Sequence, residues 1–128
     1  MRKIALLLFL IMIIVLGAVL LGNRANQDMR LSKEIDSELA QGVKQIDLST
    51  MPKFEWKTVG VFGPYTTNEQ IEDAMNIQFS GDNGGIDVLD DRFLLVFSDG
   101  KNAIETVVLS REYGDFFIEG NKVLIVEK

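Results

Sequence analysis

Four aspartates, Asp82, Asp87, Asp90 and Asp91, fall within ten residues, with Gly81, Gly84 and Gly85 beside them. Calcium takes about six to eight oxygen ligands, and flexible acidic loops supply them. The EF-hand spacing fails here, because Gly84 and Ile86 stand where the third and fifth ligands belong. Residues 82–91 are therefore expected to form a solvated turn, with no metal site. Glu55, Glu105, Glu112 and Asp115 are the other carboxylates open to acid–base chemistry, and no spacing pairs any two of them. The chain has no histidine and no cysteine. That removes the usual general base, the commonest metal ligand and every Ser-His or Cys-His nucleophile pair. It also removes disulfides. The glycines of residues 81–85 lack the spacing and the lysine of a phosphate-cradling loop. The expectation is no enzyme, no catalytic residue and no cofactor.

The aromatic side chains carry a different chemistry. Phe54, Trp56, Phe62 and Tyr65 crowd one segment and its turn, and Phe116 and Phe117 are adjacent in a later one. Successive strand residues point to opposite faces, so Phe116 and Phe117 cannot share a side. Aromatics left outside a core are typical anchors at protein interfaces. Phe54, Trp56, Tyr65 and Phe117 are the expected interaction surface, with core filling as the competing role for Trp56 and Phe62.

These residues need a scaffold, and the pattern of the chain supplies one. Leu31, Ile35 and Leu39 recur every fourth residue, which predicts a helix capped by Asn26 or Asp28 and ended at Gly42. Residues 43–48 alternate as a short edge strand, and residues 54–65 read as a strong strand closed by Gly63 and Pro64. Thr66 and Thr67 stand three residues before Glu69 and Gln70, the spacing of a capping box, so a short helix follows. Residues 92–98 are apolar on both faces and predict a central strand. Asp99 and Gly100 turn it into a returning strand, and a last pair forms around Gly120 and Asn121. The order predicts an α+β fold of two layers. An antiparallel sheet of four to five strands would carry two helices on one face.

Residues 4–22 hold no charged or amide side chain. Nineteen helical residues, at about 1.5 Å each, nearly span a hydrocarbon core of roughly 30 Å. The run is long for a signal peptide and is followed by weak cleavage sites. It is expected to be an uncleaved transmembrane anchor over residues 1–22. A linker at 23–27 and an extracytoplasmic domain at 28–128 would follow. Arg2 and Lys3 put the N-terminus in the cytoplasm by the positive-inside bias. Ala18 and Gly22 form a small-xxx-small pair within the run. Eleven of the 13 basic residues and all 19 acidic ones lie beyond it. Such an acidic domain repels nucleic-acid phosphate.

The segment F-E-W-K-T-V-G-V-F-G-P-Y-T-T-N-E-Q-I, residues 54–71, resembles a pattern of small bacterial proteins with one N-terminal membrane segment. F-L-L-V-F-S-D-G-K, residues 93–101, is similar to the same group, although Lys57 stands where many of those proteins have Asp. The resemblance implies the anchored architecture and no particular activity. The functional expectation is a single-pass cell-membrane protein, held in the cytoplasmic membrane through residues 4–22. Its outer domain would be a non-catalytic interaction or accessory module with a protein partner and no nucleic acid. An anchored or secreted enzyme inhibitor of the immunity type is the second reading, and a small enzyme the third.

Overall fold

In the computed structural model, residues 2–22 and 24–128 are described, with side-chain surroundings for 2–14 and 24–128. Helix α1 is Arg2–Gly22. Strand β1 (Asn26–Gln27) leads into α2 (Met29–Ala40) and β2 (Gln45–Asp47). Then come β3 (Thr58–Phe62), α3 (Asn68–Met75), β4 (Arg92–Ser98) and β5 (Ala103–Ser110). A single 3-10 turn at Arg111–Tyr113 precedes β6 (Asp115–Glu119) and β7 (Val123–Glu127).

The fold is α+β, but it is built on two sheets where the sequence pattern predicted one. The first has the order β1-β5-β4-β3 and the second β2-β7-β6. Every pairing is antiparallel except that of β1 with β5, where Asn26 meets Glu105 and Gln27 meets Thr106. The short polar segment before α2 thus joins the sheet, and Ala25 is buried beside a bridge to Gly81.

The helices also divide between the two faces of the first sheet. Phe93, Leu95 and Phe97 point to one side of β4 and pack with Leu31, Ile35 and Leu39 of α2. The same cluster takes in Phe116, Leu124 and Val126 from the second sheet. Leu94 and Val96 point the other way, to Ile71 of α3 and to Ile77, Phe79 and Ile86 of the loop behind it. The result is three layers. Residues 93–98 are all buried, as their two-faced apolar pattern requires. A register shift at Phe97/Ser98 turns Ala103 to the α3 side, whereas Ile104 packs with the α2 cluster.

Local chemistry sets the element ends. Asp28 caps α2 by accepting from the Leu31 N–H at 2.9 Å. Gly42, at φ +88°, ends it as a Schellman motif, with Gly42 N–H donating to Leu39 O and Val43 N–H to Glu38 O. Thr67 and Gln70 complete a capping box at α3.

The transmembrane expectation is corrected. Among the described residues no helix is long and apolar enough to cross a membrane. The exposed apolar side chains described in α1 extend over residues 4–14. The single-pass cell-membrane location, with a cytoplasmic N-terminus and an outer domain, loses its support with the span. The side chains of Ala18 and Gly22, and the linker residue Asn23, lie outside the described residues.

One buried hydroxyl sits in this packing. Thr106 in β5 is 1% exposed, and among the described residues its Oγ1 has no hydrogen-bond partner. A buried hydroxyl without a partner costs about 1–3 kcal/mol of desolvation. Thr106→Val keeps the branched shape and removes the hydroxyl, so it should raise unfolding stability by about 1 kcal/mol in urea titration. An unchanged or lowered midpoint would show that the hydroxyl is satisfied in solution.

Candidate functional site

The regular part of the aromatic strand begins later than its sequence pattern predicts, at Thr58. Phe54 and Trp56 precede it on irregular backbone that leads out of Pro52. They are nevertheless fixed. Both rings pack edge-on against Phe97, with centroids 5.1 Å away for Phe54 and 5.3 Å for Trp56. Phe97 is fully buried in β4, so a core ring holds two half-buried ones at the surface. Such T-shaped pairs are worth about 0.5–1.5 kcal/mol beyond their buried area.

Phe54 and Trp56 line an open cleft of 820 Å³, together with Lys57, Asp99, Asn121 and Lys122. Three segments build it: the chain before β3, the β4–β5 hairpin and the β6–β7 turn. The hairpin is held by Asp99, whose carboxylate accepts the Lys101 and Asn102 N–H groups at 2.8 Å. Those bonds, with Lys57 nearby, keep the Asp99 carboxyl below its usual range. Ser98 is buried, but its hydroxyl bonds to that of Thr58 and accepts from Gly100 N–H. On the other wall, Lys122 O accepts from Leu48 N–H at 2.7 Å, and Asn121 Oδ1 accepts from Val59 N–H at 3.4 Å. Asp47 sits behind this wall. Hydrogen bonds from the Ser49 hydroxyl and N–H hold its carboxyl low, with a smaller contribution from Lys122. The cleft therefore offers two aromatic faces with charges of both signs at its rim.

The four residues expected to form one surface do not do so. Phe54 and Trp56 are together. Tyr65 lies past the opposite end of β3, 61% exposed, at a left-handed φ of 65°. Its N–H donates to Ile86 O, which ties the turn down and leaves the ring outside. Phe117 is on the outer face of β6, 38% exposed, opposite Ile125 of β7. Its neighbour Phe116 is buried against Phe93, so the two rings do face opposite sides.

The acidic loop is organised internally. Asp82 accepts from Gly84 N–H, Asn83 accepts from Gly85 N–H, and Asp91 pairs with Arg92 at 2.8 Å. The Arg92 guanidinium reaches Gly84 O, and that of Arg111 reaches Asp90 O. Among the described residues no group of three or more His, Cys, Asp or Glu could hold a metal ion. Of the other carboxylates, Asp115 pairs with Arg111 at 3.5 Å. Glu105 is partly buried beside Asp28. Burial first, and then the Asp28 charge, push its carboxyl up. Its strand pattern places it among the inward positions of β5, but only the tertiary structure shows that it opens onto a hollow.

That hollow adjoins the cleft. It measures 280 Å³ and is lined by Arg24, Asn26, Phe54, Asp99, Asn102 and Glu105, among others. Phe54 and Asp99 line both concavities. No family model, no curated protein and no solved structure matches this chain.

Proposed function

We propose that the protein is a non-catalytic interaction module that takes a protein segment into the cleft at Phe54 and Trp56. The observation that carries this reading is the support of both rings by the buried Phe97 at the mouth of an open cleft. A rigid aromatic loses little conformational freedom when a partner covers it, which is why such residues dominate interface energetics. The acidic balance of the chain, −6 overall, disfavours nucleic acid as the partner.

A photo-reactive residue placed at the exposed Glu55 tests the proposal in intact cells. It should yield one discrete protein adduct, and Trp56→Ala should reduce that adduct about tenfold or more while the fold persists. The same label at the exposed Glu69, on α3, should not yield it. Equal yields with and without Trp56 would reject the cleft as the binding site.

A further inference from the structure

We infer that the hollow beside the Phe54–Trp56 cleft, lined by Glu105, admits a lysine or arginine side chain of the bound segment. This rests on the reading of the cleft as a protein-binding site, and it names the chemistry that the hollow selects. Phe54 and Asp99 line both concavities, so the hollow lies directly beside the cleft. Glu105 and Asp99 line this hollow, together with Asn26 and Asn102.

Glu105 is the distinctive group. It is half-buried, and among the described residues it has neither an ion pair nor a side-chain hydrogen bond. The charge it feels most is a like one, Asp28. Asp28 cannot turn away without uncapping α2, since its Oδ1 holds the Leu31 N–H. Asp99 is likewise fixed by two backbone N–H groups. Negative charge is thus preorganised in and beside the hollow. A cation would offset both the desolvation of Glu105 and its repulsion by Asp28. Arg24 lines the same hollow but makes no ion pair with either carboxylate within 4 Å. The Phe54 ring adds an aromatic face of the kind that attracts ammonium and guanidinium groups.

An anionic ligand fits less well. In the hollow it would meet Glu105 and Asp99, both of its own sign. A second copy of this acidic chain would also bring like charge to like.

The test uses the full chain and two blocked tetrapeptides, one with leucine, phenylalanine and arginine, the other identical but with citrulline for arginine. Binding is followed by the Trp56 indole and by the backbone amides of Asn102 and Glu105 in nuclear magnetic resonance titrations. The arginine peptide should move all three signals and bind about tenfold more tightly than its twin, the scale of one charged hydrogen bond. Glu105→Gln should bring the two affinities within about twofold of each other. If both peptides move Trp56 equally while Glu105 stays still, the cation site is rejected and the cleft reading survives. If neither peptide moves Trp56 at millimolar concentration, the cleft reading fails and this inference fails with it.

Discussion

Phe97→Ala is expected to lower unfolding stability by about 3–5 kcal/mol, the usual cost of deleting a buried aromatic ring. That is a large share of the roughly 5–15 kcal/mol available to a domain. Phe97 is fully buried in the two-sided strand β4, and it has Val59 and Glu105 as register partners. Phe54 and Trp56 lean on it from outside, so its removal opens a cavity directly beneath the candidate cleft. Trp56 is the only tryptophan, which makes the outcome readable without a label. Its emission should shift to the red under native conditions, and the urea midpoint should fall. Phe97→Leu, which refills much of the space, should recover most of both signals. A loss below about 1 kcal/mol for the alanine variant would mean that the two surface rings do not depend on Phe97 for support.

Gly114→Ala is the second large effect. Gly114 joins the 3-10 turn to β6 at φ +129° and ψ −159°, a region open essentially to glycine alone. An added Cβ would lie 2.3 Å from the carbonyl oxygen of Glu127 and 2.8 Å from its carbonyl carbon. Both are backbone atoms of β7, so no side chain can swing aside. Holding a residue with a Cβ in that conformation costs about 1–3 kcal/mol, and the clash adds to it. The pairing of Asp115 with Glu127 should break first. Thermal unfolding should therefore occur well below that of the parent, and the amides of Asp115 and Glu127 should lose protection from hydrogen exchange. Gly120→Ala provides the comparison. Its φ is +62°, but nothing lies within 4 Å of the added Cβ, so it should cost only about 1 kcal/mol. Equal losses in the two variants would show that the close approach at Gly114 is not what matters.

Much of the local structure was legible in the residues. The fourth-residue spacing of Leu31, Ile35 and Leu39 marks the buried face of α2, and Asp28 and Gly42 mark its ends. The capping box at Thr67 and Gln70 and the hairpin at Asp99 and Gly100 follow from rules that act within about four residues. The two-faced apolar run of β4 correctly implied cover on both sides. The identity of that cover was not legible, because apolar pattern says that a face is buried and not by what. Hence α3 was expected beside α2 and lies on the opposite face, and β2, β6 and β7 form a sheet of their own.

The candidate site divides the same way. Composition alone withdrew histidine and cysteine chemistry, since those residues are absent. It also marked Phe54, Trp56, Tyr65 and Phe117 as aromatics with more ring surface than small helices cover. Which of them share a surface depends on contacts far apart in sequence, and no local spacing encodes those. Phe97 draws Phe54 and Trp56 together from more than 40 residues away. The length of β3 and the left-handed turn at Tyr65 carry that ring to the other end, and β6 turns Phe117 outward. Glu105 became part of the site only when β1 and β5 paired and brought the Asp28 cap near it. Sequence by itself determined the acidic charge, the absent chemistries and the local helices and turns, because each depends on residue type or on near neighbours. Tertiary structure alone decided the two sheets, the cleft and the placing of Glu105 in the hollow beside it, because each depends on which distant strands meet.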